Sequence, residues 1–137
     1  MKYRQIQNEP HFAETIWQLE ETFPQIFKDS SAAWTPTYES FLMFWQNCGE
    51  IWGLFDDADN LIAVVYLEFH TDFAVNIHVS VLKRVDNDLI VRFFQSLTRQ
   101  KYIDGVTDFR AWILEKNRAL VKIAHETNYF ETGLKLR

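Results

Sequence analysis

The side chain best suited to proton transfer in this sequence is His78, which lies in the alternating segment Phe73–Leu82. Histidine changes its charge near neutral pH, so His78 is a candidate general base. Asn76 and Ser80 share its face of the predicted strand, because side chains two residues apart point the same way. Ser80 is a second candidate catalytic residue, although it lies too far along the strand for a direct proton relay. The plainer interpretations are a hydrogen-bonded histidine in a half-buried sheet and a polar strand residue.

Other side chains with chemical potential are weaker candidates. Glu68, His70 and Asp72 are metal-ligand types, but they span a strand end and a turn, with mixed faces and no fourth ligand. A solvated turn is therefore the preferred interpretation, and no metal is expected. Cys48, near a predicted helix end, is expected to be a packed thiol. Because it is the single cysteine of the chain, no internal disulfide can form, and a cytoplasmic location fits.

Two helices are predicted near the N-terminus, after a short strand over Lys2–Gln7. The first begins near Pro10 and ends at Pro24, because proline cannot donate the helical hydrogen bond. The second begins near Thr35-Pro36-Thr37, where threonine can cap and proline suits the first turn, and Gly49 is the expected C-cap. The apolar residues that recur every three or four positions and define the inward faces are Phe12, Ile16, Leu19, Phe23, Tyr38, Phe41, Leu42 and Trp45.

From residue 51 the hydrophobic period changes from 3.6 to 2, which indicates strands. Ile51–Phe55 and Leu61–Phe69 are predicted as strands joined by a polar turn, and Phe73–Leu82 as a third. Leu61–Phe69 is apolar on both faces, so it should be central in a sheet that is covered on both sides. The remaining predicted elements are a helix opened by Asp86, Asn87 or Asp88 with Leu89, Ile90, Phe93, Phe94 and Leu97 inward, a strand over Phe109–Leu114, a helix capped by Asn117, and a strand over Tyr129–Arg137.

The order β-α-α-β-β-β-α-β-α-β predicts an α/β fold with a mixed, mostly antiparallel sheet of six or seven strands and about four helices. The 137 residues contain no repeat or biased linker, so one domain is expected over residues 1–137. The net charge of −5 argues against nucleic-acid partners and against docking on an anionic membrane. Neither a signal peptide nor an apolar membrane span is present in the sequence.

Two stretches of this sequence resemble the GNAT N-acetyltransferase superfamily. The strand, loop and helix VNIHVSVLKRVDNDLIVRFFQSL (Val75–Leu97) resembles the family's acetyl-CoA-binding motif. The segment WILEKNRALVKIAHETNYFETG (Trp112–Gly133) is similar to its later strand, its Asn-capped helix and its closing segment. With the preceding hairpin, the likeness covers roughly Trp52 to Gly133, and it is greatest to small, divergent members of phage or prophage type.

The resemblance implies that the start of the helix after Phe73–Leu82 binds the pyrophosphate of acetyl-CoA, the acyl-donor substrate. Free main-chain N–H groups at a helix N-terminus attract such an anion. The family pattern is Arg/Gln-x-x-Gly-x-Gly/Ala, and Asn87 and Leu89 stand in place of its two glycines. Asp86 and Asp88 would compete with the phosphates as helix caps and repel them. The implied cofactor-binding residues are Leu82, Lys83, Arg84, Asn87, Asp88, Leu89 and, on the later helix, Asn117.

The resemblance also implies where the acyl group is transferred. In the family, the strand that matches Phe73–Leu82 separates from the one that matches Phe109–Leu114, and the thioester enters the gap between them. The family's general acid is a tyrosine about seven residues after the capping asparagine, where this chain has Ala124. A coenzyme A thiolate can leave without an acid, so this departure weakens the enzyme interpretation without excluding it.

Two functions follow as alternatives. The first is an acetyl-CoA-dependent N-acetyltransferase that acts on a small-molecule or peptide amine, with His78 as its base. The second is a non-catalytic protein that keeps the same fold as a binding or structural module. The N-terminal helices and their linker carry more aromatic residues than their inward faces need, so some should be exposed as an acceptor cleft, a partner surface or a homodimer interface. These residues are Trp17, Phe27, Trp34, Tyr38, Phe41, Phe44 and Trp45.

Overall fold

The computed structural model describes residues 2–22, 37–83, 85–111 and 122. Its elements, in chain order, are β1 (Lys2–Gln5), α1 (Pro10–Thr22), α2 (Tyr38–Asn47), β2 (Glu50–Phe55), β3 (Leu61–Thr71), β4 (Ala74–Val81), α3 (Asn87–Ile103) and β5 (Asp108–Arg110). The first eight predicted elements are confirmed in type and order. The predicted helix end at Pro24, the helix capped by Asn117 and the strand Tyr129–Arg137 lie outside the described residues. Within those residues, no helix is both long and apolar enough to cross a membrane.

The strands form one sheet in the order β1-β2-β3-β4-β5. The first three neighbouring pairs are antiparallel, and β4 and β5 are parallel. This arrangement confirms the mixed, mostly antiparallel sheet, with five strands in the described part. β3 is the middle strand and is buried from Ile62 to Leu67, as its apolar character on both faces predicts.

Helices cover both faces of this sheet, and each face has its own apolar core. The α3 face carries Leu54, Ile62, Ala63, Val65, Leu67, Val75, Ile77, Ile90, Phe93, Phe94, Leu97 and Val106. The opposite face, which α1 and α2 cover, carries Ile6, Ala13, Ile16, Phe41, Trp45, Cys48, Ile51, Phe55, Val64 and Tyr66. From Ala63 to Leu67, neighbouring residues of β3 therefore contribute to different cores, as the period of two requires.

The local start signals of the helices agree with the structure. α1 begins at Pro10, where the missing N–H costs nothing in a first turn. Thr37 is the N-cap of α2 and forms a capping box with Ser40, in which Ser40 N donates to Thr37 Oγ1 (3.2 Å) and Thr37 N donates to Ser40 Oγ (3.2 Å).

The prediction that Gly49 caps the end of α2 is wrong. The C-cap is Cys48 in an extended conformation (φ −63°, ψ 143°). Gly49 is needed instead for a close approach to β3, because a Cβ there would overlap the Phe69 ring and lie 2.9 Å from Leu67 O.

The last carbonyls of α2 are satisfied from a distant part of the chain. The Gln7 side-chain amide donates to Cys48 O and, at 3.4 Å, to Trp45 O. In return, the Trp45 indole N–H donates to Gln7 O (2.9 Å). Gln7 therefore supplies hydrogen-bond donors to the last carbonyls of α2. In many other helices those donors are main-chain N–H groups at a glycine that follows the last turn.

A buried lysine links α3 to the face of the sheet that lies opposite α1 and α2. Lys101 is 9% exposed, its ammonium lies 2.6 Å from Glu50 Oε1, and it stands 5.2 Å from the centre of the Trp52 ring. The Trp52 indole N–H donates to the same Glu50 oxygen (2.8 Å). Glu50 and Trp52 therefore stabilise the Lys101 ammonium, which would be costly to bury without a partner.

The Gln7→Ala substitution tests the role of Gln7 at the end of α2. Removing the amide leaves two helix-end carbonyls without their donor, so the free energy of unfolding should fall by about 1–2 kcal/mol. Urea denaturation followed by circular dichroism measures this loss. The matched control is Gln46→Ala, at an exposed glutamine of α2, which should stay within about 0.5 kcal/mol of wild type. Equal stability of the two variants would contradict the capping role.

Candidate functional site

The strand β4 is paired with β5 over only part of its length in the described residues. The parallel pairing covers three residue pairs, from Ala74↔Asp108 to Asn76↔Arg110. β4 itself continues to Val81. Beyond Asn76, no residue of β4 is paired with a described residue of β5.

The hydrogen-bond pattern determines which main-chain groups face that side. Leu82 N donates to Ile62 O of the neighbouring chain segment (2.7 Å), and the register continues through the β3–β4 ladder. Hydrogen-bonded pairs alternate along an antiparallel ladder, so the N–H groups of Ile77 and Val79 point away from β3. The parallel pairing of Asn76 with Arg110 uses the Ile77 N–H, so the Val79 N–H is the next one on this side, and it is suitably directed to polarise a carbonyl placed there.

His78 lies between those two residues, with its side chain on the face that α2 covers. It is only 8% exposed. Its Nε2 contacts Oε1 of Glu68 on β3, and its ring meets the Phe44 ring edge to face, with the centroids 6.1 Å apart. His78 is thus a buried, hydrogen-bonded histidine with a carboxylate partner, an arrangement that fits a structural residue and an oriented base equally well.

Ser80 shares this face but has a different partner. It is 2% exposed, and its hydroxyl donates to the Tyr66 hydroxyl at 3.4 Å. Burial raises the pKa of Tyr66, so its phenol stays protonated. Ser80 and Tyr66 therefore form a neutral buried pair beside His78.

The residues with metal-ligand side chains do not converge. His70 and Asp72 are exposed, whereas Glu68 reaches across to His78. Among the described residues, no three His, Cys, Asp or Glu side chains are arranged to hold a metal ion.

The predicted pyrophosphate loop follows directly after β4. Lys83 Nζ lies 3.7 Å from Asp56 Oδ2, so part of its charge is already neutralised. The α3 helix is capped by Asp86, whose side chain accepts from Asp88 N (3.2 Å) and whose main-chain oxygen accepts from Leu89 N (3.1 Å). Two main-chain N–H groups that would bind a phosphate therefore have acceptors within the chain.

The remaining predicted cofactor residues are distributed as follows. Leu82 is half-buried against the core under α1 and α2, and Leu89 is half-buried in the first turn of α3. Asn87 is the first residue of α3. Arg84 and Asn117 lie outside the described residues, and so do Trp112 and Ala124.

The extra aromatic residues of the N-terminal helices that the structure describes are buried or half-buried. Phe41 and Trp45 are 1% exposed, and Trp17, Tyr38 and Phe44 are half-buried. The Trp17 ring stacks on Tyr38 and Phe41, with centroids 6.1 and 5.9 Å apart. Phe27 and Trp34 lie outside the described residues, and the expected homodimer interface stays a prediction.

Comparison with solved structures gives the class of fold, although no protein-family model and no curated protein sequence matches the chain. A variant of spermidine N-acetyltransferase SpeG from Vibrio cholerae superimposes with a TM-score of 0.74 at 12% identity, over 97% of this chain and 82% of that one. An N-acetyltransferase from Staphylococcus aureus Mu50 gives 0.70 at 14% identity, over 93% and 80%. The Campylobacter jejuni N-acetyltransferase PseH, in complex with acetyl coenzyme A, gives 0.64 at 14% identity, over 98% and 91%.

These similarities show that the protein has the fold of the GNAT N-acetyltransferases. The identities of 12–14% establish the fold alone. The particular likeness to phage-type members stays a prediction.

The sequence reasoning missed Glu68 as the partner of His78. Glu68 pairs with Asn76 and Tyr66 pairs with His78, so Glu68 and His78 are diagonal neighbours on one face. The signal was present in the sequence, because the two residues lie nearly symmetrically about the tight turn between Thr71 and Ala74. Recognising it requires the register of the hairpin, which periodicity alone does not provide.

The Cys48 thiol should be unreactive in the folded protein. It is 5% exposed, its sulfur lies 3.4 Å from Leu67 O, and burial raises its pKa to about 12. The reactive thiolate is therefore scarce at pH 8. A disulfide reagent such as Ellman's reagent should label the denatured protein within minutes and the native protein far more slowly. Equally fast labelling of both would contradict the buried position.

The Asp56 carboxylate should make the turn beside Lys83 sensitive to acid. Hydrogen bonding by the main chain of Asn60, helped by its side chain and by Ala58 N, lowers the pKa of Asp56. Its stabilisation is thus present above the ordinary value of about 3.9 and lost as the pH falls through the lower folded value. Asp56→Asn should be less stable than wild type at pH 7, and this difference should shrink toward pH 2 in urea denaturation. A difference that is constant with pH would contradict this assignment.

Proposed function

We propose that this protein is an acetyl-CoA-dependent N-acetyltransferase that transfers the acetyl group to a small-molecule or peptide amine. The observation that carries the proposal is the edge of β4 after Asn76. There the N–H group of Val79 faces the β5 side beyond the described pairing, and the buried imidazole of His78 directly precedes it in the chain. A carbonyl-polarising edge beside a candidate base is what acyl transfer needs.

In this reaction the amine nitrogen attacks the thioester carbon, forming the C–N bond as the C–S bond breaks. The electron pair of the broken bond leaves with sulfur. His78 takes the proton that the nitrogen loses, and a proton from solvent converts the thiolate to the thiol, so that the products are the amide and free coenzyme A. The N–H group of Val79 would stabilise the charge that develops on the thioester oxygen.

Two of the structurally similar proteins support the proposed classes of acceptor and donor. The Vibrio cholerae protein is named as a spermidine acetyltransferase, and PseH is described with bound acetyl coenzyme A. An amine acceptor and an acetyl-CoA donor are therefore the natural first probes. The cytoplasmic location and the homodimer remain expectations that belong with this proposal.

A second candidate function is a binding or structural module that has kept the fold without catalysis. The observation that favours it is the occupied phosphate loop, where Asp86 caps α3 and Lys83 pairs with Asp56. A phosphate at this helix end would have to displace the cap and approach two carboxylates, which costs about 1 kcal/mol per close contact in water.

Calorimetric titration with acetyl-CoA, with Asp86→Ser as the variant, distinguishes the two functions. Serine keeps the N-cap but removes the charge, so the variant should bind acetyl-CoA about fivefold more tightly than wild type. The matched control is Asp104→Asn, which removes a carboxylate at the other end of α3 and should leave the dissociation constant unchanged.

An absence of heat in wild type and in Asp86→Ser at millimolar acetyl-CoA would overturn the transferase proposal and favour the binding module. Binding by both proteins, followed by acetylation of amines such as spermidine, would support it.

A further inference from the structure

Glu68 and His78 form a carboxylate–imidazole pair across the β3–β4 ladder. The Glu68 side chain is 42% exposed, whereas the His78 side chain is 8% exposed. The pair therefore runs from solvent to a buried ring, on the face that α2 covers.

The hydrogen bond defines the state of the ring. Because an ionised carboxylate only accepts hydrogen bonds, contact with an ionised Glu68 Oε1 requires the His78 tautomer that carries its hydrogen on Nε2. In the neutral imidazole, Nδ1 is then the nitrogen that takes up a further proton. A proton taken up there gives an imidazolium whose charge lies against the Glu68 carboxylate.

Two other titratable groups of the described residues, Tyr66 and Cys48, interact with this pair or lie beside it. Tyr66 on β3 faces His78 and pairs with Ser80 of its own strand. Cys48, at the end of α2, interacts electrostatically with Glu68, and α2 places the uncharged Phe44 ring on His78. Burial raises the pKa values of Tyr66 and Cys48, so both stay protonated at neutral pH.

We propose that Glu68 is a positioning residue of the acyl-transfer site, which holds His78 as the Nε2–H tautomer and stabilises the imidazolium formed when the acceptor amine loses its proton. This inference rests on the proposed function.

The experiment combines turnover with a direct reading of the ring. Glu68→Gln keeps the shape but removes the charge, so turnover of acetyl-CoA with an amine should fall on the order of 10- to 100-fold, with unchanged acetyl-CoA affinity by calorimetry. Two-bond ¹H–¹⁵N spectra should show the Nε2–H tautomer of His78 in wild type and a mixture of tautomers in Glu68→Gln. The His78→Gln spectrum identifies the signal among the four histidines.

Two further variants separate this role from a merely structural one. Glu68→Asp keeps the charge and should recover part of the turnover and of the tautomer preference. Asp72→Asn removes an exposed carboxylate near the same hairpin turn and should behave as wild type in both measurements.

The outcomes are distinct. Wild-type turnover in Glu68→Gln, or a loss of turnover with an unaltered tautomer, would overturn the positioning role and leave the proposed function intact. An inactive wild-type protein that binds no acetyl-CoA would overturn the proposed function and the catalytic role of the pair together.

Discussion

Burial of β3 on both faces is the constraint on which the rest of the structure depends. A strand that is apolar on both sides is stable only when each side is covered, so the fold needs helices above and below the sheet. The segment from Ala63 to Leu67 contributes alternately to the core under α3 and to the core under α1 and α2. The sheet positions, the two helical layers and the place of β4 next to β3 all follow from that requirement.

The candidate site lies where this burial gives way to polar side chains. Toward its end β3 changes from the buried Leu67 to the half-exposed Glu68, and β4 places His78 beside it on the same face. A carboxylate at the boundary of a core can keep its charge in water while it orients a buried imidazole. The acid-rich loop at the start of α3 counts against tight anion binding, whereas the β4 edge and the histidine favour acyl transfer.

Much of the fold could be predicted because it depends on local patterns. Period two identified β2 to β4, and the capping residues placed the two helix starts within Thr35–Thr37 and Asp86–Asp88, since caps and alternation are properties of short segments. The errors and omissions involve contacts between distant segments. Gly49 is present for its approach to Phe69 rather than for a helix end, and the Glu68–His78 pair depends on a hairpin register. The pairing of Lys83 in the predicted pyrophosphate loop likewise depends on Asp56, which belongs to another turn.

The contact of Gln7 with the end of α2 has a consequence for the order of folding. Its two partners lie 38 and 41 residues further along the chain, so these two carbonyls obtain the Gln7 donor only after distant segments have met. Contacts of such long range form slowly, because the loop between them must first be closed. The N-terminal segment leaves the ribosome first, yet it must wait for β2 and α2 before it can dock. We therefore expect the end of α2 to be among the last parts to become protected from hydrogen exchange during folding.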